Sequence, residues 1–343
     1  MNNLMGNSRE LTKTVYLIGH VSGDRIDQSN ETVMGGAVAY MARVFKLLGW
    51  DAHIVTKLPS DHRFLKDLDD LGITVHNLPI STESKKESVT TFDIKNRGGY
   101  RDIFLRDRQE NITEGEIRLF FRNIPREALV VVAPIMNEVD MDIIPYLKSK
   151  DHTLVLCPQG YFRKKTEEQR VYQWDNPEFM RVLSYADMAV MSREDLSFFT
   201  QQDKQDKYIK ELASIKPIFV TDGGYGSACH YHGSEIKVKA LPLNRSEKWE
   251  LTGAGDAYAA ALLHSISIGQ PLALDMEFAS FYAGIKILKG GGIIGLPDAN
   301  YIRNFIYENT VMVEGYSPML LLYILGREAY YEPSDYSFRR IET

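Results

Sequence analysis

The chain has 343 residues, 44% of them hydrophobic, and its 40 Lys and Arg against 46 Asp and Glu give a net charge of −6. A chain of this size buries a large core, and without a basic run its composition argues against nucleic acid or an acidic membrane surface as the main partner. The N-terminus has no long signal core, and the late apolar run MLLLYILG is too short for a membrane span, so we expect a cytoplasmic protein.

Short apolar runs alternate with helical patterns along the chain. TVYLIGH at 14–20 predicts a buried strand, AVAYMARVFKLLGW predicts a helix that stops at Gly49, and AHIVTKL predicts the next strand. The alternation returns in ALVVVAPI, TLVLCPQ, MAVMS and PIFVTDGG, which are separated by helical patterns such as MDIIPYLKS and SREDLSFFTQ. This order predicts an α/β protein with a mainly parallel sheet covered by helices on both faces.

Two polar stretches rich in Thr interrupt this alternation. They are DRIDQSNETVMGG and ESVTTFDIKNRGGYRDIFLRDRQENI, and the second holds Gly98 and Gly99 between two alternating runs, which is typical of a β-hairpin. We expect segments of about 22–34 and 88–112 to form a small β lid interleaved with one main domain, so that 1–343 is a single domain. Residues 309–343 are expected to be a C-terminal extension.

The stretch WELTGAGDAYAAALL at 249–263 places two glycines and an aspartate where a strong helix former begins. The backbone N–H groups at such a helix start are unpaired and favour a phosphate or a phosphoryl transition state. Asp256 in that first turn has an ordinary explanation, because a carboxylate there interacts favourably with the helix dipole. Beside Gly253 and Gly255 it also has the geometry of a base that takes a proton from a hydroxyl attacking phosphorus.

TGAGDAY resembles the C-terminal signature of the ribokinase-like, or PfkB, family of sugar and nucleoside kinases, and the likeness extends over roughly 14–307. The resemblance implies a ribokinase-like three-layer α/β/α sandwich with a small β lid. It also implies that Asp256 is the catalytic base, that the amides of Gly253, Ala254 and Gly255 form an anion hole, and that the protein uses ATP with Mg²⁺.

Other family landmarks occur in the expected order. GHVSGD and the double glycine of MGGAVAYMARVFKLLG resemble the segments that hold the sugar, VTDGGYGS resembles the nucleotide segment VTxGxxG, and FYAGIKILKGGGIIGLP resembles one wall of the adenine pocket. The resemblance therefore implies two sets of binding residues. The substrate set is Ser22, Asp24, Gly35 and Gly36, and the nucleotide set is Thr221, Gly223, Gly226 and Ser280.

The chain departs from the family pattern at two places. Where the family often has Asn-x-x-Glu, this chain reads MSREDLSF, so Ser192 is a candidate for nucleotide binding and Glu194 and Asp195 are candidates for magnesium binding. An N-cap formed by Ser192, with Asp195 in the first turn, explains the same pattern equally well. Tyr40 stands where the family usually has an Asn that contacts the substrate, so the pocket is expected to differ there.

LVLCPQGYFRK is similar to a branch of the family that includes inositol kinase-like proteins, and it makes Gln159 and Arg163 candidates for contact with substrate or phosphate. APIMNEVD resembles the same branch and places Asn137 and Glu138 at a strand end, although a surface turn explains these two residues as well. Arg101 in the predicted hairpin is either a clamp for phosphate or an exposed strand residue.

These features predict ATP-dependent phosphorylation of a hydroxyl on a small polyol, meaning a sugar, a cyclitol such as inositol, or the ribose of a nucleoside. The changes at Tyr40 and Ser192 point to an alternative, a nucleotide- or sugar-binding sensor of the same fold that is weakly active or inactive. The chain has neither a G-x-x-x-x-G-K-S/T loop nor a G-x-G-x-x-G after the first strand, which argues against an ordinary P-loop or dehydrogenase fold. By resemblance, a homodimer through the lid is expected.

Overall fold

A computed structural model of the chain describes residues 11–27, 29, 31–81, 88–97, 100–243, 249–309, 316, 320, 324, 329–332 and 337–340. The strands are β1 (Thr14–Ile18), β2 (Ser22–Ile26), β3 (Val33–Gly35), β4 (Asp51–Thr56), β5 (Thr74–Asn77), β6 (Thr90–Arg97), β7 (Tyr100–Asp107), β8 (Leu129–Val132), β9 (Thr153–Leu156), β10 (Arg163–Lys165), β11 (Val171–Gln173), β12 (Met188–Ser192), β13 (Ile218–Thr221), β14 (Ser227–Tyr231), β15 (Ser234–Val238), β16 (Ala329–Glu332) and β17 (Ser337–Arg340). The helices are α1 (Ala37–Leu47), α2 (Arg63–Asp70), α3 (Glu114–Phe120), α4 (Ile143–Ser149), α5 (Phe179–Leu183), α6 (Gln202–Ala213), α7 (Ala254–Ile268), α8 (Leu272–Lys289) and α9 (Ala299–Glu308).

A nine-stranded sheet forms the centre of the protein, in the order β15-β14-β13-β12-β9-β8-β1-β4-β5. The neighbours from β13 to β5 are parallel, and β14 and β15 are added antiparallel at one edge. Alternate residues of β1 enter different cores, since Val15 and Leu17 belong to one hydrophobic cluster and Tyr16 and Ile18 to the other. Helices therefore cover both faces, and the predicted mainly parallel α/β architecture is confirmed.

Four strands form a separate sheet in the order β3-β2-β6-β7. They come from the two polar stretches that interrupt the alternation of strands and helices, and β6 pairs with β7 up to Arg97 and Tyr100, on either side of the expected hairpin turn. Because β2 begins four residues after β1 ends, this small sheet starts at the carboxyl edge of the central sheet. Ligands bind at that edge in open α/β folds.

One predicted helix is wrong. SREDLSFFTQ begins with a short 3-10 turn at Arg193–Leu196, and α6 starts only at Gln202. The ring of Phe198 lies 5.9 Å from that of Phe162, and the ring of Phe199 lies 5.5 Å from that of Tyr208. Both consecutive aromatic side chains thus pack inward, and consecutive residues of a continuous helix do not share one face.

The described part of the C-terminal extension packs on the core. The ring of Tyr316 lies 5.2 Å from that of Phe281 in α8, and Leu320 is fully buried. The strands β16 and β17 pair antiparallel with each other. Within the described ranges, no helix combines the length and the apolar character that crossing a bilayer requires.

Candidate active site

The start of α7 carries the glycines and the aspartate of the TGAGDAY motif. Gly253 precedes the helix with φ of 78°, a left-handed conformation that glycine adopts readily, and Asp256 is half-buried in the first turn. Burial raises the pKa of Asp256 to about 6; Arg163 opposes this effect and Asp195 adds to it. At neutral pH the carboxylate is ionised and is a stronger base than an exposed aspartate.

The three predicted anion-hole amides differ in their hydrogen bonds. The Ala254 N–H donates to the Leu251 carbonyl at 3.2 Å, so this amide is engaged within the protein. The N–H groups of Gly253 and Gly255 donate to no backbone carbonyl in the described ranges, and a Cβ at Gly255 would have no neighbour within 4 Å. The Ala254 amide thus closes the first turn of the helix in this structure, and the anion-hole role of the three amides stays a prediction.

The ring of Tyr40 lies directly beneath this helix start. A Cβ on Gly253 would be 2.3 Å from Cδ1 and Cε1 of the ring, and Tyr40 itself is 4% exposed. Burial raises the pKa of the Tyr40 phenol, and the charges of Asp24, Glu250 and Asp256 add to the effect. Tyr40 is therefore neutral and lies among three carboxylates.

Ser22 and Asp24 form a buried polar pair on β2. The Ser22 hydroxyl donates to Asp24 Oδ1 at 2.9 Å, and burial raises the pKa of Asp24 to about 6 against this bond and the charge of Arg163. A Cβ on Gly35 would lie 2.2 Å from Asp24 Oδ2, and a Cβ on Gly36, at φ of 93°, would lie 2.6 Å from a backbone carbonyl oxygen. Both glycines are thus required by the close approach of the chain to this pair.

A cavity of about 1190 Å³ opens next to the pair. Asp24, Tyr40, Thr252 and Gly292 belong to its wall, together with residues of β3 and α2. Asp256 is outside this wall and follows Thr252 at the start of α7, yet the charge of Asp24 acts on its pKa. The cavity therefore connects the lid sheet with the region of the helix start.

Arg163 interacts electrostatically with three buried or half-buried carboxylates. Its charge lowers the pKa of Asp24, Asp195 and Asp256, which burial raises to about 6 in each case. Its Nη1 donates to the Ile135 carbonyl at 3.2 Å, while its Nε is buried with no hydrogen-bond partner among the described residues. The guanidinium thus retains donor capacity that a bound anion can use.

The segment predicted for magnesium forms a cap. The Ser192 hydroxyl accepts from the Glu194 amide at 3.1 Å, and Asp195 Oδ2 accepts from the Ser192 amide at 2.8 Å, which confirms the capping interpretation. Asp195 is buried and also bonds to the Gln159 side chain, whereas Glu194 is exposed and lies 3.7 Å from Arg101. The described part of the chain contains no cluster of three or more His, Cys, Asp or Glu residues that could hold a metal ion.

The predicted nucleotide residues lie at the end of β13 and on α8. Thr221 is the last residue of β13, and a Cβ on Gly223, which has φ of 51°, would have no neighbour within 4 Å. Gly226 has φ of 98°, and a Cβ there would lie 2.1 Å from the Val238 carbonyl oxygen, so packing against β15 requires this glycine. Ser280 is buried within α8. A nucleotide role for these residues stays a prediction.

Glu138 is a buried structural carboxylate. It accepts hydrogen bonds from the amides of His20 at 3.0 Å, Ile135 at 3.0 Å and Met136 at 2.7 Å. The preceding Asn137 is exposed with φ of 56°. The surface-turn interpretation is therefore correct for Asn137 and wrong for Glu138, which joins the loop after β8 to the loop after β1.

Two charged residues of this region, Lys286 and Glu250, are missing from the predicted set. Lys286 is fully buried near the end of α8, and its Nζ donates to the carbonyls of Glu250, at 2.8 Å, and Thr252. The Glu250 carboxylate accepts from the amides of Gly291 at 2.8 Å and Gly292 at 3.0 Å. A lone lysine inside the apolar run FYAGIKIL was the available signal, because an unpaired lysine is almost never fully buried.

Comparison with known proteins matches residues 10–299 to the model of the pfkB family of carbohydrate kinases. The sequence is 23% identical over 304 residues to a 5-dehydro-2-deoxygluconokinase of Halalkalibacterium halodurans, covering 80% of this chain and 86% of that protein. The fold is similar to that of a pyrophosphate-dependent myo-inositol-1 kinase converted into a myo-inositol-3 kinase, with a TM-score of 0.68 and 24% identity over 84% of this chain and 98% of that one. Ribokinase of Arabidopsis thaliana, complexed with ribose and ATP, gives a TM-score of 0.61 and 17% identity over 86% and 99%. The predicted ribokinase-like fold is confirmed.

Proposed function

Because the chain belongs to the pfkB family of carbohydrate kinases, we propose that it transfers the terminal phosphoryl group of ATP to a hydroxyl of a small polyol. The candidate polyols are a sugar, a cyclitol such as inositol, and the ribose of a nucleoside. The observation that carries this proposal is the start of α7, where Asp256 stands beside the open amides of Gly253 and Gly255 and within the field of Arg163. A base and anion donors at one place are what hydroxyl phosphorylation needs.

In the proposed reaction, Asp256 takes the proton of the substrate hydroxyl as its oxygen attacks the terminal phosphorus. A new oxygen–phosphorus bond forms, the bond from that phosphorus to the bridging oxygen breaks, and ADP leaves with the electron pair. The amides of Gly253 and Gly255 stabilise the phosphoryl oxygens, and the free Nε of Arg163 supports the same charge. Arg101 supplies further positive charge from β7.

We assign substrate binding to the Ser22–Asp24 pair, since a buried carboxylate at the cavity wall is a strong acceptor for a polyol hydroxyl. Tyr40 limits the depth of the cavity, and the lid sheet excludes water, which would otherwise hydrolyse the donor. The nucleotide is proposed to lie along Thr221 and Gly223. A homodimer through the lid sheet is a further prediction, for which light scattering is the direct measurement.

Magnesium fits this site only as an ion held mainly by the phosphates of the donor. Asp195 already accepts the Ser192 amide, and Glu194 pairs with Arg101, so we propose that either carboxylate contacts the hydrated ion through water. When bound, the ion neutralises part of the negative charge that the donor phosphates carry.

The test is a panel of polyols assayed with Mg-ATP and, because one similar structure is of a pyrophosphate-dependent kinase, also with pyrophosphate. Asp256→Asn should fold and bind nucleotide but lose about 10²- to 10⁴-fold in turnover. The matched control is Asp275→Asn, because burial also raises the pKa of Asp275 to about 6, yet its carboxylate bonds to Ser265 on the far part of α7. Near wild-type turnover of Asp256→Asn removes the residue from this role, and binding without turnover across the panel favours the sensor.

A further inference from the structure

We propose that the ammonium group of Lys286 is a built-in cation that holds the loop 250–252 in the conformation that aims the Gly253 amide at the transferred phosphoryl group. Lys286 is thus a positioning residue. Its positive charge compensates the oxygens that line this loop, a role that a bound monovalent ion would otherwise have to fill. The role of the Gly253 amide in an anion hole rests on the proposed function. The role of Lys286 as the cation rests on its own contacts.

The surroundings of Lys286 Nζ match the three donors of an ammonium group. Two donors reach the backbone carbonyls of Glu250, at 2.8 Å, and Thr252, and the Glu250 Oε1 lies 3.5 Å away. The side chain is 0% exposed, so these oxygens replace its water. A buried charge in such a place is retained only where its partners compensate it, and here every partner belongs to one short loop.

The carbonyl bonds set the direction of the next amide. A peptide unit is planar and trans, so its C=O and its N–H point in opposite directions. With the Thr252 carbonyl directed at Lys286, the Gly253 N–H must point away from the lysine, and it donates to no backbone carbonyl in the described ranges. Lys286 therefore determines the orientation of one of the two open donors at the start of α7.

Lys286 is also linked to the loop after α8 and to the Tyr40 ring. The Glu250 carboxylate, beside Lys286, receives the amides of Gly291 and Gly292, and Nζ lies 5.7 Å from the centre of the Tyr40 ring. That ring packs against Gly253. Lys286 thus contacts the loop before α7 and the aromatic ring that supports the helix start, and the Glu250 carboxylate connects this loop to the loop after α8.

The test compares two substitutions at this position. Lys286→Ala leaves three oxygens around a space the size of a small ammonium ion, whereas Lys286→Met fills the space and removes the charge together with its hydrogen-bond donors. We expect both variants to lose about 10²-fold in turnover, the scale on which one anion donor acts. Methylammonium chloride, compared with choline chloride at equal ionic strength, should raise the turnover of Lys286→Ala at least about tenfold. It should leave the turnover of Lys286→Met unchanged.

Lys57→Met is the control for the loss of a buried lysine, since Lys57 is also buried and pairs with Glu116 on α3 at 2.8 Å and with Glu110 at 3.6 Å. It should lose stability, keep the turnover of the folded protein and show no response to methylammonium. Wild-type turnover should be equal in potassium, sodium and choline chloride. Full turnover of folded Lys286→Ala, a potassium requirement of the wild type, or equal responses of the Ala and Met variants would each overturn the proposal.

A readout without turnover separates this proposal from the proposed function. In the absence of substrates, methylammonium should raise the melting temperature of Lys286→Ala above that in choline and leave Lys286→Met unchanged. If the wild type phosphorylates no polyol but this difference is present, the proposed function fails and the cation site stands. If the wild type is an active kinase and no cation affects Lys286→Ala in either measurement, the role of Lys286 is disproved and the proposed function stands.

Discussion

The ring of Tyr40 and the backbone of Gly253 are in contact, and the distance leaves no room for a side chain on the glycine. A Cβ there would be 2.3 Å from two ring carbons, and φ of 78° is also unfavourable for any residue with a Cβ. Two separate constraints, one steric and one of the backbone, therefore act at the residue from which the proposed anion hole begins.

These two constraints can be separated by substitution. Gly269, at the other end of α7, has φ of 82° and open space, so Gly269→Ala measures the backbone term alone, about 1 kcal/mol in the free energy of unfolding. Gly253→Ala should cost about 2 kcal/mol more because the methyl group overlaps the Tyr40 ring. Urea unfolding of each variant gives both values.

The Tyr40→Ala background completes the comparison. Removing the ring should reduce the cost of Gly253→Ala to that of Gly269→Ala, a coupling of about 2 kcal/mol between the two contacting residues. The steric explanation would be contradicted if Gly253→Ala and Gly269→Ala lowered the free energy of unfolding equally in the wild-type background. It would also be contradicted if removing the ring left the cost of Gly253→Ala unchanged.

The charge of Arg163 should be visible in the dependence of activity on pH. The base must be ionised to accept a proton, so kcat/KM should fall as pH drops through the pKa of Asp256, about 6. Arg163 favours the ionised carboxylate, and Arg163→Gln should therefore move this acid limb upward by about one unit. A pH profile of kcat/KM from 5 to 9 measures the shift.

Lys164→Gln is the matched control, because Lys164 is the next residue on β10 and its ammonium lies 3.4 Å from the centre of the Trp174 ring. It should leave the acid limb in place. A limb that moves equally in both variants would indicate a general effect of net charge, and a limb that does not move in Arg163→Gln would mean that the guanidinium does not act on the base.

The fold and the start of α7 were predictable because their signals are local. Runs such as TVYLIGH and the glycines of TGAGDAY specify a strand and a helix start within a few residues. The pattern of Ser192 and Asp195 was local too, but it suited a cap and a metal contact equally. Only the positions of the Ser192 hydroxyl and amide show that the cap forms.

Sequence reasoning missed the structural role of Glu138 and the presence of Lys286, because both depend on contacts between distant parts of the chain. Glu138 accepts the amide of His20, which lies 118 residues earlier, and Lys286 donates to carbonyls 34 and 36 residues before it. No short pattern contains both partners of such a contact. The helical prediction for SREDLSFFTQ failed for a related reason, because the aromatic partners of Phe198 and Phe199 lie in other segments.

The contact between Glu138 and His20 supports a last prediction, on stability. Glu138 accepts three backbone amides at full burial, and in Glu138→Gln the side-chain NH₂ would face donors in place of an acceptor. The free energy of unfolding should fall by about 3 kcal/mol, because buried amides lose a charged partner. Asn137→Gly, at the neighbouring exposed residue with φ of 56°, should change it by less than about 0.5 kcal/mol, since glycine accepts this conformation.

Urea unfolding of the wild type and both variants measures these changes, provided that the free energy of unfolding falls with urea concentration at the same slope in all three. Steady-state kinetics with the polyol is the second readout. Because His20 is two residues before Ser22, loosening this loop should also raise KM for the polyol more than it lowers kcat. A Glu138→Gln variant as stable as the wild type would show that the three amides find other acceptors. A fall in kcat at unchanged KM would instead connect this carboxylate to the reacting groups and contradict its structural role.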